Sequence, residues 1–363
     1  MLQERVEKLR KILKEKDLDG FLISNFYNIL YLTGFKTLTD NEREGWALVT
    51  AKNVYLFTDS RSTINNELLI LKLITPEKGL IKHLNEIAEE EKIQKIGFEG
   101  DDLKVNELNR LKEFLINIEL VSFERLIIKI REIKDELEIS NIKTACGIAD
   151  KCLEEIVKTI KIGISEKEIA FKIELWLKEK NHDLSFYPIV AIDKNSSIPH
   201  YDTRNGNNEK AKKNSIILID YGAKFNNYHS DTTRMIFTGK PTDEMINTYD
   251  NLLTAQEKTI KQLNIDNNPV SVDQFCRKLI SDQRLPIYQH STGHGVGLQV
   301  HEYPKISFTS TDVLLPNQVV TVEPGIYLEN KWGMRTEDTI LIKENKPVEI
   351  LTGFSKKMLI IND

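Results

Sequence analysis

Two segments in the second half of the chain follow the same pattern, and this repetition constrains the fold more than any other feature. One reads SIILIDYGAKFNNYHSDTTRMIF, and the other reads QVVTVEPGIYLENKWGMRTEDTILI. Each has an apolar strand, a glycine shortly after it, a polar connection and a second apolar run. Acids occupy matching places at the strand ends: Asp220 and Asp231 in the first copy, Glu323 and Glu337 in the second. The pattern predicts two strand hairpins built on one plan.

The first third of the chain alternates between helical and strand patterns. An amphipathic helix opens it, with apolar residues at near-helical spacing from Leu2 to Leu18. The runs FLIS, GWALVT, NVYLFTD and KIGFEG follow and are typical of strands, while IKHLNEIAEEEK is helical in pattern. This alternation predicts a self-contained α/β domain.

The pattern changes from Arg131 onward. A long, highly charged helical stretch follows and predicts a linker helix that opens a second domain. Further helices are predicted near 243–262 and 271–283, and a helix after Ser165 should begin with a capping box. We therefore predict an α/β (α+β) chain with two domains, residues 1–125 and residues 126–363.

Composition excludes several classes of function. The chain has 50 Lys and Arg against 55 Asp and Glu, a net charge of -5, so no nucleic-acid partner is expected. Cys146, Cys152 and Cys276 cannot all pair and lack CxxC spacing, which favours reduced thiols in the cytoplasm. The charged N-terminus is unlike a signal peptide, and no run of about 18 apolar residues predicts a membrane span.

The four strand-end acids need a common explanation, because buried charges are costly unless they are neutralised or paired. One such acid alone is explained by a turn cap or a surface ion pair, but the matched set favours a shared cluster of cations. His294 supplies an imidazole within HSTGHGVGLQVHE, where Gly293, Gly295 and Gly297 let the backbone approach a site closely. A phosphate-binding loop is the rival interpretation, although no Walker-type motif is present.

Four carboxylates and one imidazole favour Mn, Fe or Co, with Zn possible. Two such ions about 3.5–4 Å apart activate water near neutral pH and polarise a carbonyl, which predicts hydrolysis of an amide bond. His200, in NSSIPHYD, and His301 are candidates to hydrogen-bond a substrate carbonyl and stabilise an oxyanion. Each of them could equally be a surface or structural residue.

Several motifs occur in order along nearly the whole chain: YNILYLTGF, LFTDSR, NSSIPHY, LIDYGAKFNNYHSDTTR, HSTGHGVGLQVHE, VEPGIY and GMRTED. Together they resemble the metallopeptidase family that includes prolidase (Xaa-Pro dipeptidase), aminopeptidase P and methionine aminopeptidase. The resemblance implies a creatinase/prolidase-like N-terminal domain followed by a pseudo-symmetric pita-bread catalytic domain. Methionine aminopeptidases generally lack such a first domain, and creatinase-like members do not keep this ligand set.

The resemblance also implies a role for each of the five candidate metal ligands. Asp220 would hold one metal ion, and His294 with Glu323 would hold the other. Asp231 and Glu337 would bridge the pair. Glu323 would in addition shuttle a proton during the reaction.

Further residues are carried over as substrate contacts and supports. His200 and His301 would orient the substrate and stabilise the intermediate, and His290 matches another active-site histidine of aminopeptidase P. Arg335 would contact a substrate carboxylate or the metal ligands. Thr233 and Asp338 would fix the ligating carboxylates from behind.

We therefore expect a hydrolase that cleaves the Xaa-Pro bond at the amino end of a peptide, with two divalent metal ions per subunit. Manganese is the expected metal, with Co, Zn or Fe as alternatives, and a cytoplasmic homodimer is the expected state. Prolidase is the preferred branch; aminopeptidase P, acting on longer peptides, and a non-catalytic peptide-binding module are the alternatives. Ile192-Asp193 replaces the Ser-Gly common in relatives, which leaves substrate specificity open.

Overall fold

The structure, a computed structural model, describes residues 2–37, 39, 42–62, 66–264, 267–345 and 347–361. The chain divides into two compact units, Met1–Arg131 and Glu132–Asp363. Among the described residues, no helix has both the length and the apolar character needed to span a membrane.

The first unit is built around one mixed sheet. Its strands are β1 (Gly20–Ile23), β2 (Gly45–Thr50), β3 (Val54–Thr58), β4 (Ile70–Leu73), β5 (Lys95–Glu99) and β6 (Glu119–Phe123). Its helices are α1 (Leu2–Glu15), α2 (Phe26–Thr33), α3 (Leu80–Glu91), α4 (Val105–Phe114) and α5 (Leu126–Glu132), the last of which ends at the division between the units. The strand order is β4-β3-β2-β1-β5-β6, with β1, β2 and β3 antiparallel and the other neighbours parallel. The predicted strands and the two predicted helices of this region are confirmed.

The expected linker helix is interrupted, and a capping box explains why. Helix α5 ends at Glu132, and α6 (Glu136–Val157) begins after Asp135. The Asp135 carboxylate accepts from the Glu138 N–H at 2.9 Å, and the Glu138 carboxylate accepts from the Asp135 N–H at 3.0 Å. These bonds satisfy amide groups that would otherwise lack partners at a helix start. The prediction of a single helix was therefore wrong at this point.

The second unit contains the remaining elements. Its further helices are α7 (Glu166–Glu179), α8 (Asp243–Gln262) and α9 (Pro269–Ser281), and a 3-10 turn spans Asp193–Ser197. Its strands are β7 (Asp183–Leu184), β8 (Ile189–Ile192), β9 (Ser215–Tyr221), β10 (Ala223–Phe225), β11 (Tyr228–His229), β12 (Thr232–Thr238), β13 (Gly293–Gly295), β14 (Glu302–Ile306), β15 (Val319–Val322), β16 (Gly325–Leu328), β17 (Trp332–Arg335), β18 (Asp338–Leu341), β19 (Glu349–Ile350) and β20 (Leu359–Ile361). The Ser165 capping box at the start of α7 is present as predicted.

The two repeated segments form matching antiparallel hairpins, as the sequence predicted. Strand β9 pairs with β12, and Asp220 lies opposite Thr233. Strand β15 pairs with β18, and Val322 lies opposite Asp338. Each hairpin encloses a smaller one, β10 with β11 in the first and β16 with β17 in the second. The α/β fold class and the pseudo-symmetric plan of the second unit are confirmed.

Both faces of the β9 strand are buried, which explains why its sequence is almost continuously apolar. Ile217 and Ile219 pack in a core with residues of α6 and α7. Ile216 and Leu218 point to the opposite face and pack with residues of α8 and α9. Because side chains alternate along a strand, Asp220 shares the face of Ile216 and Leu218 and reaches its end. The fold thus brings a carboxylate to the end of a fully buried strand.

Candidate active site

The strand ends of the two hairpins carry four acids, and β13 carries an imidazole beside them. Asp220 lies in β9 and His294 in β13, while Asp231 precedes β12. Glu323 follows β15, and Glu337 precedes β18. The structure brings all five predicted ligands together.

Their ligand atoms form three overlapping groups, and within each group the atoms lie within 4.8 Å of one another. The groups are Asp220 with Asp231 and Glu337; His294 with Glu323 and Glu337; and Asp231 with His294 and His301. Asp220 Oδ1 and Asp231 Oδ1 are buried and have no hydrogen-bond partner among the described residues. Buried carboxylate oxygens without donors are suited to a cation. These residues therefore fit a metal centre, and His301 could join it.

The orientation of His294 suits a metal ligand. Its Nδ1 lies 3.0 Å from the carbonyl oxygen of Gly295, an arrangement in which Nδ1 donates. Its Nε2 then points at the acids, 3.2 Å from Glu323 Oε1 and 3.6 Å from Asp231 Oδ2. A carbonyl bound to the other ring nitrogen is the usual way in which a ligating imidazole is held.

The crowded acids affect one another's ionisation. Burial, together with the charges of the neighbouring carboxylates, raises the pKa values of Asp231 and Glu337 well above their usual range. Burial also raises the pKa of Asp220, although Arg335 opposes this effect. For Glu323, burial is outweighed by the hydrogen bond and charge of His294, which lower its pKa to about 2. The cluster of ionised carboxylates is stable only when additional positive charge compensates them.

Thr233 and Arg335 hold the acids of the first group. Thr233 Oγ1 donates to Glu337 Oε2 at 2.7 Å and accepts from Arg335 Nε at 3.1 Å. The Arg335 guanidinium also pairs with Asp220 and donates to the Pro199 carbonyl at 3.1 Å and to the Tyr327 hydroxyl at 2.8 Å. Thr233, a predicted support, and Arg335, a predicted contact of a substrate carboxylate or the metal ligands, thus both contact predicted ligands. These contacts engage the Arg335 guanidinium with groups of the protein itself.

Asp338 supports the site less directly. Its carboxylate pairs with Arg234 at 2.8 Å and with Lys356 at 2.7 Å. Arg234, whose side chain is 2% exposed, in turn donates to the backbone carbonyl of Glu337. Sequence reasoning named Asp338 but missed Arg234, the residue directly after the GAKFNNYHSDTT segment. Arg234 is the residue that connects Asp338 to the backbone of Glu337.

Sequence reasoning missed two further residues: Thr321, which contacts His294 and Glu323, and Tyr327, which contacts His290. Thr321 Oγ1 donates to Glu323 Oε1 at 3.3 Å and accepts from the backbone N–H of His294 at 3.1 Å. The hydroxyl of Tyr327 lies 3.1 Å from His290 Nε2. Spacing could have indicated Thr321, because residues two apart in a strand share a face and Thr321 lies two before Glu323.

The glycine at the centre of the motif is required by close backbone packing. A Cβ atom on Gly293 would lie 1.9 Å from the carbonyl oxygen of Thr321. No side chain fits at that distance, so the strand carrying His294 can lie against β15 only with glycine there. The close approach at Gly293 is to the backbone of the neighbouring strand, whereas the sequence led us to expect an approach to the site itself.

The ligand groups open into a cavity of about 680 Å³, which is in the range of small-molecule sites. His200, His290 and His301 line it, so the predicted substrate residues meet the predicted ligands there. The rings of His301 and His294 lie 4.4 Å apart. Partial burial and the neighbouring His294 lower the pKa of His301 to about 4, so its ring is neutral at pH 7. Lys305, which sequence reasoning did not single out, also lines the cavity.

The glycine-rich loop does not adopt the arrangement expected of a phosphate site. Its central residues Gly293–Gly295 form strand β13 within a sheet and pair with β14 and β15. A phosphate loop would instead lead into the start of a helix. The cavity next to it is lined by the acids of the ligand groups, which would repel an anion.

Comparison with known proteins places these observations in a family. Residues 140–344 match the model of metallopeptidase family M24, and residues 5–133 match the creatinase/prolidase N-terminal domain. The chain is 30% identical to an Xaa-Pro dipeptidase of Pyrococcus horikoshii, over 95% of this chain and 96% of that protein.

Solved structures show the same likeness. The structure of an Xaa-Pro dipeptidase from Bacillus anthracis matches with a TM-score of 0.88 at 30% identity, covering 99% of this chain and 100% of that one. An X-Pro aminopeptidase from Thermotoga maritima matches with a TM-score of 0.86 at 30% identity, covering 98% and 100%. The similarity therefore extends over both units.

Proposed function

We infer the activity from the family: this chain belongs to metallopeptidase family M24, and we propose that it hydrolyses the bond between a peptide's first residue and a following proline. The names of relatives at about 30% identity, Xaa-Pro dipeptidase and X-Pro aminopeptidase, support this reaction. The observation that carries the proposal is the convergence of four acids and His294 on one cavity, which His200 and His301 also line.

The proposed ligands divide between two metal ions, with Asp231 and Glu337 shared. Glu337 occurs in a group with Asp220 and in a second group with His294 and Glu323, which supports the sharing. When bound, the ions would activate a water molecule and polarise the substrate carbonyl. We propose manganese, with Co, Zn or Fe as alternatives, because carboxylate-rich sets suit such ions.

The remaining roles belong to the side chains of the cavity. Glu323 also lines the cavity, and we propose that it accepts the proton of the attacking water at neutral pH. His301 is neutral at that pH and can donate an N–H to the substrate carbonyl. His200 lies on the same cavity and is proposed for the same task.

Lys305 supports a dipeptide as the preferred substrate. Arg335, the expected partner of a substrate carboxylate, is engaged by Asp220, Thr233 and Tyr327. Lys305 also lines the cavity and, among the described residues, forms no ion pair; its Nζ lies 5.7 Å from the centroid of the Tyr303 ring. A dipeptide ending in proline carries a free carboxylate next to the cleaved bond, and an ammonium group is a suitable partner for it.

Kinetics on Ala-Pro, Ala-Pro-Ala and a longer Xaa-Pro peptide test this proposal. The wild type should prefer Ala-Pro. Lys305→Met should raise KM for Ala-Pro about 10- to 100-fold, as expected for losing a bond of about 1.5–3 kcal/mol between charged groups. Ala-Pro-Ala should be affected far less, because its carboxylate lies one residue further away. Lys331→Met, which changes an exposed lysine of the β16–β17 turn, is the control.

An aminopeptidase that acts on longer peptides is the second candidate. The cavity volume supports it, because about 680 Å³ leaves space beyond a dipeptide. Preference of the wild type for longer peptides, with equal effects of Lys305→Met on all substrates, would favour this candidate over the dipeptidase.

Metal dependence is tested on the same substrates. Activity should vanish with a chelator and return with added Mn, Co or Zn. Undiminished cleavage by metal-free protein would overturn the two-metal proposal. Stoichiometric bound metal without turnover on any Xaa-Pro peptide would instead favour a non-catalytic binding module.

A further inference from the structure

Residues 297–302 form a tight turn that carries His301, and the carboxylate of Glu302 closes this turn from inside. Glu302 Oε1 accepts from the Gln299 N–H at 3.0 Å, and the Gly297 N–H donates to the Gln299 carbonyl at 3.0 Å. A Cβ atom on Gly297 would lie 2.5 Å from Glu302 Oε2, so the carboxylate lies directly over this glycine. His229 donates its backbone N–H to the Gly297 carbonyl at 2.9 Å and fixes the turn to the first hairpin.

The second oxygen of this carboxylate is engaged by a lysine from far along the sequence. Glu302 Oε2 lies 2.9 Å from Lys134 Nζ, and the two side chains are 5% and 1% exposed. The Lys134 N–H donates to the carbonyl of Asn317 at 2.9 Å, which fixes the backbone that carries the lysine. A buried charge without its partner is strongly unfavourable, so either residue depends on the other.

We propose that Lys134 and Glu302 are positioning residues that keep the His301 ring directed into the cavity. Glu302 is the next residue after His301, so a displacement of its carboxylate moves the imidazole that lies 4.4 Å from the ring of His294. Neither residue belongs to the ligand groups or to the lining of the cavity, so the pair acts through the turn. The role given to His301 rests on the proposed function.

The kinetic test compares Lys134→Met with Lys134→Arg. The methionine variant should lose about 10- to 100-fold in kcat/KM, mainly in kcat, as is typical when residues that orient an active-site group are removed. The arginine variant, which keeps the charge, should recover most of the activity. Lys143→Met is the control, because Lys143 and Glu349 form an exposed ion pair at 2.8 Å outside the cavity lining.

Two double variants separate positioning from general destabilisation. If Lys134 acts through His301, adding Lys134→Met to His301→Ala should change kcat/KM less than about twofold, since coupled residues do not add. Lys134→Met/Glu302→Gln should be more active than Lys134→Met alone, because the buried carboxylate whose charge Lys134 compensates is then neutral. Independent, additive losses in both double variants would overturn the proposal.

Hydrogen exchange in the chelated protein provides a readout that does not need activity. Lys134→Met should accelerate exchange of the Gln299 amide by about tenfold or more, because its acceptor is released. Unchanged protection at Gln299 would overturn the positioning role whatever the activity. If the wild type cleaves Xaa-Pro peptides but Lys134→Met keeps its kcat/KM, positioning fails and the proposed function stands. If the wild type cleaves none, the proposed function fails and exchange decides the positioning role.

Discussion

Replacing Thr233 by valine should weaken metal binding while the protein stays folded. The Thr233 hydroxyl donates to Glu337 at 2.7 Å and accepts from Arg335 at 3.1 Å, and the residue is fully buried. Valine keeps the shape but provides neither bond. The bond to the Glu337 carboxylate should contribute about 1.5–3 kcal/mol, so metal affinity should fall about 10- to 100-fold.

The effect on folding should be smaller, because Arg335 keeps its contacts with Asp220, Tyr327 and Pro199. The assay is calorimetric titration of the chelator-treated protein with Mn²⁺, repeated for Thr233→Ser, which retains the hydroxyl. Serine should bind within about threefold of the wild type, a small difference compared with the loss expected from removing the hydroxyl bond. The reasoning is refuted if valine binds Mn²⁺ as tightly as the wild type, or if serine and valine are equally impaired.

Two predictions concern stability. Burial raises the pKa of Glu99 to about 7 from 4.5. The protonated carboxyl group therefore contributes fully to the free energy of unfolding below about pH 4.5, and about 3 kcal/mol of this stability should be lost as the pH rises to 7. Urea unfolding followed by Trp46 fluorescence, with Trp176 and Trp332 changed to Phe, should show this fall, and Glu99→Gln should abolish the pH dependence. Asp231→Asn should raise Tm at pH 7 in chelator, because neighbouring acids and burial disfavour its charge. The same variant should lose the stabilisation by Mn²⁺, about 2.7 kcal/mol at a hundredfold excess over Kd, and a lowered Tm or a retained Mn²⁺ effect would contradict this.

Local pattern was sufficient for much of the fold. The GWALVT run coincides with β2, and the predicted helix at 243–262 coincides with α8. The repeated segments predicted the paired hairpins because the same order recurs in both: an apolar strand that ends at an acid, a glycine, a polar connection and a second acid before another apolar run. Strand β4 was missed, because its apolar residues are largely exposed and lack the alternation that marks a half-buried strand. The order of strands in the sheets depends on distant pairings that no local pattern encodes.

The candidate site, like the fold, could be predicted from the sequence only in part. Acids at the ends of apolar strands can be recognised in the sequence, because local structure alone does not account for a charged residue at such a position. Partners are not visible when they come from distant segments: Lys134 meets Glu302 across 168 positions, and Arg335 meets Asp220 across 115. The contacts of Arg335 with Asp220, Thr233 and Tyr327, on which the role proposed for Lys305 rests, are likewise visible only in the folded chain.

The charges of the site connect its stability to its chemistry. Arg335 pairs with Asp220 and His294 pairs with Glu323, yet burial and the neighbouring carboxylates raise the pKa values of Asp231 and Glu337. Protons could relieve this repulsion, but they would also occupy the oxygens that a metal ion needs. Divalent cations relieve it without that loss, and they polarise a carbonyl at the same time. Metal loading should therefore raise Tm and activity over the same range of Mn²⁺ concentration, and activity that saturates well before the rise in Tm would show that only one of two ions is needed for catalysis.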